Sequence, residues 1–302
     1  MGRYTPFPME AIQVRPGVWA FLGGVNLGAI VSEGEVVFID SGLDDGPARK
    51  LWRWAEGKGL RPRAAILTHA HADHFGGAHL WAGRGLPLHS SELEGMMMEH
   101  PIFEPVLLFS GAAPIPELLQ KFTLAKPCRI SGALALGPVG FGPLAVEVVA
   151  LPGHSPAQIG IKVGDVLFCA DSLFPPEILR KHPIPFCYDF SKALDSARAL
   201  EEAEALVPGH GQILQGEEVR KASLAFRAHL ERIRGIVLEK IATPKTADGV
   251  LFEVANLLGA SFSNATEFLL ARTTILSVLS SLVHEGLAEA RVEGNTLLWR
   301  RL

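Results

Sequence analysis

Residues 68–77 read Thr68-His69-Ala70-His71-Ala72-Asp73-His74-Phe75-Gly76-Gly77, which places three histidines and an aspartate within six positions. Ahead of them Ala64-Ala65-Ile66-Leu67 is apolar and reads as a buried strand; behind them Phe75 to Trp81 reads as the start of a helix. The cluster therefore occupies a turn at a strand's carboxyl end, the edge of an open α/β sheet where ligands and chemistry gather. His69 and His71, two apart, can point the same way, while Asp73 and His74 fall on the first helical turn. That geometry suits two adjacent metal ions better than one. Imidazoles and a carboxylate packed this densely would repel or stay unsatisfied without a cation.

The run His69-x-His71-x-Asp73-His74 resembles the His-x-His-x-Asp-His signature of the metallo-β-lactamase superfamily. In that family a histidine, an aspartate and a histidine follow, each at a strand end. Here Val146 to Leu151 runs into Pro152-Gly153-His154, Asp165 to Ala170 into Asp171, and Ala205-Leu206-Val207 into Pro208-Gly209-His210. The resemblance spans about residues 10 to 215. It implies an α/β fold, the αββα metallo-β-lactamase sandwich; a small winged-helix-like α+β domain is expected after it from the helices and hairpin beyond residue 217.

Carried over residue by residue, the resemblance assigns His69, His71 and His154 to one metal and Asp73, His74 and His210 to a second, with Asp171 bridging. Asp40, at the end of the apolar strand Glu35 to Ile39, would sit beside the metals and orient a ligand histidine. A carboxylate capping the turn Asp40-Ser41-Gly42 is the competing reading. Seven nitrogen and oxygen ligands without a thiolate suit two divalent ions; zinc is expected, with iron or manganese as alternatives. Two such ions lower the pKa of a shared water to roughly 7 and polarise the bond under attack, so the expected activity is hydrolysis. Asp73 and Asp171 are the expected catalytic carboxylates, with Asp73 or a metal-bound water as the proton donor. The expected substrate is a small molecule with an ester, thioester or lactone bond; the alternative is single-stranded RNA, cleaved as by β-lactamase-like endoribonucleases. True β-lactamases often carry a cysteine where Asp171 stands. Glyoxalase-II-like thioesterases share the metal motif but have a helical carboxy-terminal region.

At 302 residues the chain is long for one domain and comfortable for two. A catalytic domain over 1–216 and a carboxy-terminal domain over 217–302 are expected. A net charge of −4 is mild and argues neither for a whole-protein nucleic-acid binder nor for a membrane-surface protein, while leaving room for a local basic patch. Three cysteines, Cys128, Cys169 and Cys187, lack metal-type spacing and point to reduced thiols. Prolines and an acid interrupt Met1 to Glu10, where an export signal needs an apolar run. The most apolar stretch, Ala133 to Gly153, is broken by glycines and prolines, so no membrane span is expected. A cytoplasmic protein is the resulting expectation.

Along the chain, four strands are expected from Ile12 to Asp40, at Ile12–Val14, Val18–Leu22, Asn26–Val31 and Glu35–Asp40, then an amphipathic helix over 46–59. Gly76 and Gly77 would permit close backbone approach at the metal edge and to the neighbouring strand. An insert over about 82–144, rich in methionine and proline, reads as a lid or wall over the site, with an extra core helix pair as the plainer option. His89, His100 and His182 are not expected to ligate. Phe174, Phe186 and Tyr188 lie in a proline-broken loop and are candidates to line the pocket. From 217 the texture turns helical: a long helix over 218–241, shorter ones over 246–258, 265–270 and 272–285, and a hairpin about Glu293-Gly294-Asn295-Thr296. This order resembles a winged helix. The stretch 273–284 has only Arg272 nearby as a cation, so dimerisation, giving a homodimer, or capping of the pocket is favoured over nucleic-acid contact.

Overall fold

The computed structural model describes residues 9–302, so the reading of the amino-terminal segment falls largely outside it. The chain opens with four antiparallel strands, β1 (Glu10–Arg15), β2 (Val18–Leu22), β3 (Leu27–Ser32) and β4 (Glu35–Ile39). Helix α1 (Asp45–Gly57) follows, capped by the Asp44 side chain accepting from Gly46 N. It returns the chain to β5 (Arg61–Ile66), parallel to β4. Short helices α2 (Ala72–Phe75) and α3 (Ala78–Gly83) lead to β6 (Leu88–Ser90). Then α4 (Glu92–Glu99) and α5 (Phe103–Leu108) precede β7 (Gly132–Ala133). These seven strands form one sheet in sequence order.

The second sheet holds β8 (Gly137–Phe141), β9 (Leu144–Ala150), β10 (Ile159–Val163), β11 (Val166–Ala170), β12 (Ala205–Pro208) and β13 (Leu214–Gln215). Helices α6 (Pro176–Lys181) and α7 (Phe190–Ala199) connect β11 to the parallel β12. The carboxy-terminal part is α8 (Glu217–Lys240), α9 (Ala247–Leu258), α10 (Ala265–His284) and the hairpin β14 (Ala288–Glu293) with β15 (Thr296–Arg301).

The period-2 alternation of strands explains the layering. Val37 and Ile39 of β4 join Val146, Val148, Ile159, Ile161 and Phe168 in a core between the two sheets. Phe38, between them in sequence, faces the other way and packs with Leu51 of α1 and Trp81 of α3. A strand covered on both faces reads as a continuous apolar run, as Val36 to Ile39 do; Glu35 at the start of β4 is buried too and pairs with Arg61. On the outside of the second sheet a third cluster takes Leu167 and Leu206 with Phe190, Ala197, Phe226, Ile233, Val254 and Ile275. The order is helices, sheet, sheet, helices. The carboxy-terminal helices share one continuous core with the second sheet.

Three differences from the sequence reading have plain causes. The stretch 82–144 contributes β6, β7 and β8 to the sheets, so the part standing apart from them narrows to about 91–131. Helix α10 is unbroken through Ala271, a good helix former buried at that position, where two helices were expected. By length and composition alone α10 is also apolar enough to cross a membrane, contrary to the expectation that no stretch would be; here it buries Ile275, Val278, Leu279 and Leu282 within the protein.

Candidate metal centre

Each ligand candidate rides on a strand end. β5 leads into Thr68–His74, β9 into His154, β11 into Asp171 and β12 into His210, so four loops meet at one rim of the two sheets. All seven side chains come together there. His69, His71 and His154 offer ligand atoms within 4.8 Å of one another; so do His69, His74 and Asp171, and again Asp73, His74 and His210. Asp171 reaches across the group, with Oδ1 3.3 Å from His74 Nε2 and Oδ2 3.3 Å from His154 Nε2 and 3.5 Å from His210 Nε2. Gly209 makes this possible: a Cβ there would lie 2.0 Å from Asp171 Oδ1. Gly76 meets a similar limit at the turn after β4, since its Cβ would lie 2.1 Å from Leu43 O. Its close approach is to that turn.

Hydrogen bonds from the outer side set the tautomers. His74 Nδ1 pairs with Asp40 Oδ2 at 2.8 Å, His154 Nδ1 with Phe186 O at 3.1 Å and His210 Nδ1 with Gly24 O at 2.8 Å. Thr68 Oγ1 donates to Asp40 Oδ2 at 2.8 Å, which leaves its oxygen to accept from His69 Nδ1 at 3.1 Å. The Nε2 atoms of these four histidines are thereby turned inward. Among the described residues His69 Nε2, His74 Nε2 and Asp171 Oδ1 are buried without a hydrogen bond of normal geometry, the last two facing each other at 3.3 Å as an ion pair. Buried polar atoms are normally satisfied, so three converging orphans of ligand type fit a divalent cation.

The electrostatics divide the histidines into two sets. Burial lowers His69 well below its ordinary value, His71 to about 4 and His154 to about 3, so these imidazoles are neutral and ready to ligate. Burial opposes protonation of His210 and His74 as well, yet Asp171 and Asp73 prevail and raise His210 to about 10 and His74 well above its ordinary value. The same contacts hold Asp73 at about 2 against its own burial and carry Asp171 well below the carboxylate range. Ions entering among Asp73, His74 and His210 must therefore displace protons. The open side is formed by Asp73 and His210, whose side chains are 30% and 21% exposed, whereas His74 is fully enclosed.

Phe186 stands edge-on to His71 and His154 with ring centroids 5.1 and 5.4 Å away, and Phe174 lies 5.7 Å from the His154 ring. Tyr188 is exposed, and its backbone N–H donates to Gly153 O. His89, His100 and His182 stand outside the ligand trios. The three cysteines are free and buried.

Sequence reasoning missed Glu94. This fully buried carboxylate accepts from Ala70 N at 2.8 Å, Ser155 Oγ at 2.6 Å and Ala157 N at 2.8 Å, so α4 ties the first ligand loop to the loop of His154. One signal existed: Glu94 shares the buried face of α4 with Met98, four residues on. The supporting carbonyls of Phe186 and Gly24 leave no trace in side-chain identity. Asn26 is similar: its Nδ2 holds the carbonyls of Pro208 and Gly211, on either side of His210.

Fold and site together define a metal-dependent hydrolase of the two-sheet sandwich type. The Metallo-beta-lactamase superfamily model matches residues 20–210, and the chain belongs to that superfamily. It is 27% identical over 175 residues to a probable metallo-hydrolase of Bacillus subtilis (strain 168), covering 53% of this chain and 70% of that one. It is 24% identical over 202 residues to a hydroxyacylglutathione hydrolase of Xanthomonas euvesicatoria pv. vesicatoria (strain 85-10), covering 67% of this chain and 64% of that one. Among solved structures, a beta-lactamase domain protein from Burkholderia ambifaria superimposes with a TM-score of 0.75 at 20% identity, covering 100% of this chain and 96% of that one. That likeness concerns the fold, and its matched length includes α8 to α10.

Proposed function

We propose that this hydrolase cleaves an ester, thioester or lactone of a small molecule at a dinuclear centre, with zinc in both positions. One observation carries the reading: the middle of three trios of ligand atoms shares His69 with one neighbour and His74 with the other, and its Asp171 reaches into both halves of the cluster. His69, His71 and His154 would hold one ion, Asp73, His74 and His210 the other, and Asp171 both. When bound, the ions would supply Lewis acidity and a water acidified toward neutral pKa. The protein's own part is to keep the first three imidazoles unprotonated and to keep Asp73 ionised at the open edge, so that each can ligate. Phe174 and Phe186 exclude water from one side and offer an apolar wall to an acyl group. The segment 91–131 would complete that wall.

The hydroxyacylglutathione hydrolase relative supports a thioester or related acyl substrate. Single-stranded RNA is the weaker reading. The carboxy-terminal helices and hairpin have a winged-helix-like order, but Glu289 pairs with both Arg291 and Arg300 and removes much of the hairpin's positive field. We take this unit as a capping and docking element of a cytoplasmic enzyme, possessing a homodimer interface in the same region. Metal analysis with turnover of thioester, lactone and bis-para-nitrophenyl phosphate substrates tests the proposal. His71→Ala and Asp171→Ala should lose both metal and turnover; full activity in either variant refutes it.

A further inference from the structure

Helix α10 reaches the loop beside the metal centre through the hydroxyl of Thr274. Thr274, fully buried, donates from Oγ1 to Pro185 O at 2.8 Å and accepts from Cys187 N at 3.1 Å. The residue between those two is Phe186, whose carbonyl accepts from His154 Nδ1 at 3.1 Å. One side chain thus grips the peptide whose carbonyl orients a ligand histidine, through its Cys187 N–H, and the peptide before it, through Pro185 O. We infer that Thr274 is a positioning residue of the metal centre, acting through Phe186 to hold His154 in its ligating tautomer and direction. The inference rests on the reading of His69, His71 and His154 as one metal's ligands.

The loop needs such a clamp. Residues 182–189 contain Pro183 and Pro185 and form no helix or strand, so their backbone is not held by a ladder of its own. Freed at Pro185 and Cys187, the Phe186 peptide could rotate about its flanking dihedrals and withdraw its carbonyl from the imidazole. Nδ1 of His154 would then lose its partner, and Nε2 its fixed aim. The Phe186 ring, set against His71 and His154, would move with it. The rest of the contact is consistent with this role. Thr274, Ser277 and Ser281 lie on one helical face; Ser277 Oγ is 3.9 Å from Cys187 Sγ, and Ser281 Oγ is 3.1 Å from Ser191 Oγ at the start of α7. On the other side of the loop, Gly153 O, adjacent to His154, accepts from both Tyr188 N and Asp189 N at 2.9 Å. The carboxy-terminal unit is thereby coupled to the ligand loop by hydrogen bonds with defined partners, beyond generic apolar packing.

The test is cobalt titration of metal-free full-length protein, followed by visible absorption, with circular dichroism to show the fold. Thr274→Val keeps shape and removes both hydrogen bonds; it should weaken cobalt binding about tenfold or more and alter the ligand-field spectrum. Thr274→Ser should restore wild-type affinity and spectrum. Ser281→Ala, which loosens the same helix interface without touching Phe186, should leave both unchanged. Should the valine variant not fold, Thr274→Cys under reduction should give a smaller loss in the same direction. Wild-type affinity and spectrum in Thr274→Val, or in Thr274→Cys where that variant stands in, overturn the inference, as does an equal loss in Ser281→Ala. Wild-type protein that binds no cobalt overturns the metal-centre reading together with this one.

Discussion

Asp40 Oδ2 lies 2.8 Å from His74 Nδ1, and the same carboxylate takes Thr68 N and Thr68 Oγ1 at 2.8 Å each. Asp40 sits just past β4 with a φ of 56°, in the left-handed region that costs a non-glycine residue energy. Surrounding structure holds that conformation, because Asp40 N also donates to Ile66 O while Ser41 N and Gly42 N donate to His74 O. Asp40→Ala would leave Thr68 N and His74 Nδ1 without partners. Metal affinity should fall about 10–100-fold, measured by competition with a chelator. Asp40→Asn tolerates the left-handed backbone and still accepts from Thr68 N, so its loss should be smaller. Unchanged affinity in Asp40→Ala would remove Asp40 from the centre's support.

Among the described residues Glu94 has no ion-pair partner, and it is stabilised by three donors from two ligand loops. Glu94→Ala strands two backbone N–H groups in the interior, at roughly 1–3 kcal/mol each. Unfolding by urea should show a loss of about 3 kcal/mol or more in metal-free protein. A loss below about 1 kcal/mol would mean the loops are held by other contacts.

Gly209→Ala tests the crowding at Asp171. The added methyl would overlap Oδ1 and lie 2.9 Å from His74 Cε1, so Asp171 must move out of its shared position. Metal content after purification should drop by half or more while the circular dichroism spectrum is kept. Full metal occupancy in this variant would show that Asp171 tolerates displacement.

The buried thiols give a pH prediction. Burial pushes Cys128 and Cys187 up to about 12 from an ordinary value of 9.0, and Cys169 upward as well. Above pH 9 the unfolded chain releases these protons while the folded one retains them, so unfolding becomes more favourable as pH rises. Stability from this source is complete below about pH 9 and declines toward pH 12, by up to about 1.4 kcal/mol per pH unit for each thiol. Urea midpoints at pH 8 and pH 10.5 should differ, and Cys128→Ala should shrink the difference. Native protein at pH 8 should also resist iodoacetamide that labels all three thiols in denaturant.

Much of the candidate site was legible because its candidate ligands announce themselves locally. His69, His71, Asp73 and His74 are neighbours in sequence, and His154, Asp171 and His210 each follow an apolar strand near its end. The opening strands and α1 were legible for the same reason: alternation and a 3.6-residue period are properties of short windows. The expected break in α10 fails because no breaker stands at Ala271 and packing on both sides of it rewards continuity. Strands as short as β6 and β7 carry no periodicity to read; pairing with β5 and with each other defines them.

By itself the sequence determined which candidate side chains would be brought together and that each would stand near the end of a strand, since apolar runs and the residues after them are contiguous. Only the tertiary structure decided what holds those side chains still. The supports come from far along the chain: Glu94 for Ser155, Phe186 O for His154, Gly24 O for His210 and Thr274 for the loop of Phe186. Two of them, Phe186 O and Gly24 O, are backbone carbonyls, which every residue possesses. Their selection follows from how two sheets and a carboxy-terminal helix pack, a long-range outcome that no short window encodes.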